Sequence, residues 1–146
     1  MVTFIIRIAP IPVVQRGENG LSSVIEVNSD SWETEVLKSE GLVVVDFWHQ
    51  QCPWCARLAP IFSEVAKEYG DKAKFASLNV LSSHENQHIA LHLGLMSTPT
   101  LVFFCQGKPI FAAAGFQTKE RIKQLVEDAL KNYKECAGKS TELKID

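Results

Sequence analysis

Long hydrophobic runs are missing from this 146-residue sequence. The longest uninterrupted apolar stretches are four or five residues, such as 42–45 and 101–105, far short of the roughly 18 needed to cross a bilayer, so no membrane partner is expected. An excess of charge of one sign is missing too. With 15 Lys and Arg against 17 Asp and Glu the formal charge is -2, which leaves no basic footprint for a nucleic-acid backbone. Cysteine is scarce: four residues are too few for a disulfide scaffold, and only Cys52 and Cys55 lie close in sequence. That asymmetry points to chemistry rather than cross-linking. Internal repeats and low-complexity tracts are absent as well. What remains, 46% hydrophobic and 22% charged residues, is the balance of one globular domain with a real core.

The two ends read differently from the middle. Residues 2–14 are largely apolar, but Arg7, Pro10 and Pro12 interrupt them, no basic segment follows Met1, and no small-residue cleavage pattern precedes the polar run after Val14. Residues 1–22 are therefore read as an N-terminal extension, an extra edge strand over 3–8 or a flexible arm, and not as an export signal. Residues 135–146 are a polar C-terminal tail expected to fray. The domain proper spans 23–134.

Within it, short β-rich runs alternate with helical periodicity, the pattern of βαβ units around a largely parallel sheet. Residues 24–27 form a first strand. Asp30 and Glu33 have capping-box spacing before a helix that presents Trp32, Val36 and Leu37 and ends at Gly41. Residues 42–48 are apolar and mostly β-branched or aromatic, as a strand buried on both faces should be, with Asp46 the exception. A long helix follows, with Leu58, Ile61, Phe62, Val65, Ala66 and Tyr69 on one side and Pro60 expected to kink it. A third strand covers 74–80, and Ser82 with Glu85 opens a short helix that stops at Gly94. Residues 100–105 and 109–114, separated by Gln106-Gly107-Lys108, suit a hairpin. Thr118 caps a last helix whose apolar stripe includes Ile122, Val126 and Ala129. The expected order is βαβαβαββα with a mixed sheet.

Cys52-Pro53-Trp54-Cys55 falls just after the buried strand, where the long helix begins. A helix N-terminus supplies unpaired N–H groups and the positive end of the macrodipole, so a thiolate at Cys52 is favoured there. Cys55, one turn in, is shielded and suited to resolving a mixed disulfide. Two intervening residues bring the sulfurs within disulfide range, and Pro53 fits the first helical turn, where its missing N–H is not needed. Half a zinc site is the competing reading of such a pair, but the other half is missing: Cys105 and Cys136 stand alone, and His84, His88 and His92 share a helix that turns them to solvent. Cys105 is read as a small core residue and Cys136 is given no function. His49 is read as a loop residue that perturbs Cys52 only if it points that way.

From residue 24 to 133 the chain resembles the thioredoxin family. The resemblance is carried by Val45-Asp46-Phe47-Trp48 before the cysteine pair, Leu58-Ala59-Pro60 after it, and Ser97-Thr98-Pro99-Thr100 before an apolar strand and Gly107. It implies a thioredoxin fold of the α/β class with helices on both faces of the sheet. It further implies that Cys52 is the attacking cysteine, Cys55 the resolving one, Asp46 a buried acid serving the resolving thiol through water, and Pro99 a cis-proline beside a redox-active Cys52–Cys55 disulfide. Thr98 would grip an extended substrate segment by strand addition. Trp54, read on its own, is a substrate platform or an exposed ring that shelters the disulfide.

The departures are informative. Thioredoxins proper usually have Gly-Pro between the cysteines; here Pro53-Trp54 is closer to glutaredoxins and some oxidising relatives, at the position where the family tunes its potential over roughly -270 to -120 mV. Ser77 stands where many members carry a lysine beside the buried acid. A glutathione-binding Gly-Gly-x-Asp segment is replaced by Gly115-Phe116-Gln117-Thr118, against a glutaredoxin. The function expected is a thiol–disulfide oxidoreductase that reduces protein disulfides without metal or organic cofactor. It would act as a cytoplasmic monomer reset by a thioredoxin-reductase-type or dithiol donor. An oxidase or isomerase is the alternative, and a binding module the remoter one.

Overall fold

The computed structural model describes residues 23–145, with side chains through residue 132. The edge strand expected over 3–8 lies outside the described residues.

Strand β1 (Val24–Glu26) leads into helix α1 (Ser29–Trp32), which runs on into a π-helical stretch over Glu33–Leu37. Strand β2 (Leu42–Trp48) is followed by helix α2 (Pro53–Tyr69), strand β3 (Lys74–Asn79) and helix α3 (His84–His92). The hairpin β4 (Thr100–Cys105) and β5 (Lys108–Ala114) precedes helix α4 (Lys119–Ile145). The sheet order is β1-β3-β2-β4-β5, with β3 parallel to both β1 and β2, and β4 antiparallel to β2 and β5. This is the mixed sheet and the element order that the sequence suggests.

β2 sits at the centre because its residues suit burial on both faces. Leu42 and Val44 enter one core with Leu58, Phe62 and Val65 of α2 and Ile122 and Val126 of α4. Val43, Val45 and Phe47, alternating with them, enter a second core with Trp32, Val36, Ala76, Leu78 and Phe104. Asp46 falls on the first of these faces, beneath α2.

Several local expectations are corrected. The cap of α1 is Asn28, not Asp30: its side chain accepts from the backbone N–H groups of Asp30 and Ser31, and Ser31 completes the capping box. Ser83, not Ser82, caps α3, accepting from Asn86 N–H at 3.0 Å. In each run of small polar residues the neighbour with an extended backbone takes the role. The first helical stretch closes at Leu37, before Gly41, and Leu37 is exposed while Trp32 and Val36 are buried. α4 extends beyond residue 134, the boundary drawn from the sequence, to Ile145. The hairpin turn is only Gln106-Gly107, both at positive φ (54° and 80°), the conformation that matches the twist of paired strands. Cys105 is buried at the end of β4 and is disulfide-bonded, so it is not the inert core thiol expected from the sequence. The side chains of Tyr133 and Cys136 lie outside the described residues.

Candidate active site

The site gathers at the C-terminal end of β2. The strand delivers the chain to a short loop, and Cys52, with an extended backbone (φ -117°, ψ 104°), becomes the N-cap of α2. Pro53 occupies the first turn, where no N–H is required. Cys52 and Cys55 form a disulfide, their Cα atoms 5.2 Å apart. The Cys55 N–H points at Cys52 Sγ, 3.1 Å away. A thiolate on Cys52 would thus meet both a direct donor and the positive helix end, the conditions that lower a cysteine pKa. Cys52 is 8% exposed and Cys55 3%, so the first cysteine is the more open of two sheltered residues.

Across from Cys52 lies the segment entering β4. The Thr98–Pro99 peptide bond is cis, and the Thr98 carbonyl oxygen is 3.6 Å from Cys52 Sγ. Pro99 is buried, its carbonyl accepting from Gly115 N–H at 2.8 Å. Thr100 Oγ1 donates to the Ser97 carbonyl at 2.8 Å, closing the turn from inside.

Under the disulfide is a cleft of about 380 Å³ lined by Cys55, Ala59, Phe62, Asp46, Ser77 and Glu26, among others. Asp46 is 3% exposed. Burial pushes its carboxyl up to about 7, because desolvation penalises the charged form. A carboxyl with that affinity can take a proton and give it back near neutrality.

On the outer rim Trp54 is half exposed. Its ring meets Phe116 at 5.4 Å between centroids, and the Arg57 guanidinium lies 4.8 Å from its centre. The structure therefore brings together Cys52, Cys55, Pro53, Trp54, Asp46, Thr98 and Pro99. Phe116 escaped the sequence reading, since nothing in the spacing of Gly115-Phe116-Gln117 signals a partner for Trp54. His49 bonds to Thr98, Nδ1 to Oγ1 at 2.9 Å. Among the described residues no group of three His, Cys, Asp or Glu side chains is placed to hold a metal ion, and His84, His88 and His92 are all exposed.

A sheltered Cys-x-x-C disulfide at a helix N-terminus, faced by a cis-proline segment and backed by a buried acid, defines a protein that exchanges dithiol and disulfide with its substrates. The family model for Thioredoxin matches residues 23–128. The thioredoxin of Bacillus subtilis (strain 168) is 35% identical over 108 residues, covering 74% of this chain and 99% of that protein. The thioredoxin of Acidithiobacillus ferridurans is 34% identical over 108 residues, covering 74% of this chain and 97% of its own. The chloroplastic M-type thioredoxin of Pisum sativum is 36% identical over 115 residues, 79% of this chain and 65% of its own. The chain belongs to the thioredoxin family and is a thiol–disulfide oxidoreductase. The family's partners are, in general terms, disulfide-containing proteins and a reductase donor.

Proposed function

We propose that this oxidoreductase works as a protein-disulfide reductase, with Cys52 as the attacking sulfur. The observation that carries this is the Cys55 N–H aimed at Cys52 Sγ at the head of α2. The Cys52 thiolate attacks one sulfur of a substrate disulfide, forming a mixed disulfide and releasing a substrate thiolate that takes up a proton. Cys55 then loses its proton, attacks Cys52 Sγ and displaces the second substrate thiol. Two electrons pass to the substrate, and the Cys52–Cys55 disulfide is left for the donor to reduce. Asp46, lining the same cleft as Cys55, receives the Cys55 proton through water admitted there.

Thr98 aligns the substrate as an added extended strand beside Cys52, and Trp54 with Phe116 forms an aromatic wall to the site. The donor is a thioredoxin-reductase-type enzyme or a dithiol pool, the compartment the cytoplasm and the working state a monomer. Among the described residues no helix is long and apolar enough to cross a membrane.

Trapping tests the assignment. Cys55→Ser should accumulate substrates disulfide-linked to Cys52, and Cys52→Ser should lose disulfide reduction altogether; full activity in both variants overturns the mechanism. The equilibrium potential of the pair tests the direction. A value near about -270 mV supports the reductase, and one well above about -200 mV supports an oxidase or isomerase.

A further inference from the structure

His49 is the first residue beyond β2, three positions before Cys52. The antiparallel ladder between β2 and β4 pairs Leu42 with Cys105 at one end and Phe47 with Thr100 at the other. Continued in the same register, the next pair would be Trp48 with Pro99, where proline has no N–H to give and the backbone ladder stops. One step further stand His49 and Thr98. There the missing backbone rung is replaced by a side-chain one, His49 Nδ1 to Thr98 Oγ1 at 2.9 Å.

Two further bonds of this segment reach elsewhere: Thr100 Oγ1 donates to Ser97 within the turn, and the Pro99 carbonyl accepts from Gly115 after β5. The histidine bond joins Thr98 directly to the stretch of chain that ends in Cys52. The ring also lines both the cleft over Asp46 and the neighbouring groove, where Leu81, Leu91 and Met96 are exposed.

We propose that His49 is a positioning residue, whose ring holds Thr98 so that its carbonyl stays beside Cys52 Sγ and an incoming protein disulfide is aligned on it. This rests on the reading that substrates lie along Thr98. The bond joins two short segments that each carry half of the site, so its loss lets the strand-pairing half drift relative to the sulfur. Alignment of the substrate, felt as KM, is the quantity affected, and the chemistry of the cysteine pair is touched less.

The test is a double-mutant cycle on the full chain, with insulin as the disulfide substrate. His49→Leu keeps the bulk and removes the bonding atom; Thr98→Val removes the hydroxyl. Each should raise KM by roughly 3- to 10-fold, as loss of one neutral hydrogen bond implies, with a smaller change in kcat. The double variant should be no worse than the worse single one. His49→Asn, which can place an amide atom near the Nδ1 position, should recover most of the loss. Unchanged KM, additive effects in the double variant, or equal losses in His49→Asn and His49→Leu overturn the inference. If His49→Leu fails to fold, Thr98→Val and His49→Asn read the same contact. An active Cys52→Ser variant would defeat the underlying mechanism instead, so the two failures are distinguishable.

Discussion

Asp46 stands directly opposite Ser77 in the pairing of β2 with β3, and its Oδ1 is buried with no hydrogen-bond partner among the described residues. A neutral hydroxyl residue therefore occupies the neighbouring strand position, and no group among the described residues compensates the carboxyl's charge. Desolvation alone sets its affinity for a proton.

Stability should fall as pH rises. Below about pH 4 Asp46 is protonated in both the folded and the unfolded chain and contributes nothing. Between its ordinary 3.8 and about 7 only the unfolded chain ionises it, so folding becomes progressively less favourable, and above about 7 the penalty is full. At about 1.4 kcal/mol per unit the penalty is of order 4 kcal/mol. Urea unfolding should show Asp46→Ala stabilised relative to the parent at pH 8, with that advantage gone at pH 4.

Ser77→Lys should weaken this effect. A cation on β3 beside Asp46 should lower the carboxyl's pKa by about 1 to 3 units. A carboxyl titration by NMR reads the shift directly, and the fall of stability between pH 4 and 7 should flatten. An unmoved titration would show that the introduced ammonium turns away to solvent.

Trp54 and Phe116 should couple through their rings. Their contact predicts a coupling of about 0.5 to 1.5 kcal/mol in a stability cycle of Trp54→Ala and Phe116→Ala. If both line the substrate wall, each single variant should also raise KM for a protein disulfide.

Two glycines with nearly the same backbone angle should respond differently to alanine. Gly94 has φ +79° and open space around a would-be Cβ; Gly107 has φ +80° and a Cβ there would collide with the Leu37 carbonyl oxygen. Gly94→Ala should cost about 1 to 2 kcal/mol from the left-handed backbone alone. Gly107→Ala should cost at least about 1 kcal/mol more, since the hairpin turn and the π-helical stretch must part. Chemical denaturation of both variants measures the difference.

The cysteine pair and its place between strand and helix were legible because both depend on nearest neighbours: the apolar run of β2, Pro53 at the first turn, and the two-residue spacing. Asp46 stood out as a single acid in a strand otherwise suited to burial. The cis-proline was legible only through the resemblance, since Thr98-Pro99-Thr100 reads locally as an ordinary strand entry. The caps shifted by one or two residues because Asn28 competes with Asp30, and Ser83 with Ser82, for the same N–H groups. The His49–Thr98 and Trp54–Phe116 contacts join residues about 50 positions or more apart, and no periodicity within one element can reveal them.

The outermost strands of the described sheet have a consequence for solubility. β1 is only three residues long, and β5 opens with Lys108 and Pro109, where its pairing with β4 shifts register between Phe103 and Phe104. Short length, a charge, a proline and a bulge are the devices by which proteins discourage edge-to-edge pairing between copies. If substrates add as strands at Thr98, as proposed above, extended segments are what the protein must hold and let go. With its own margins blunted in this way, it would hold such a strand at the sulfur and release it without pairing along the sheet edges.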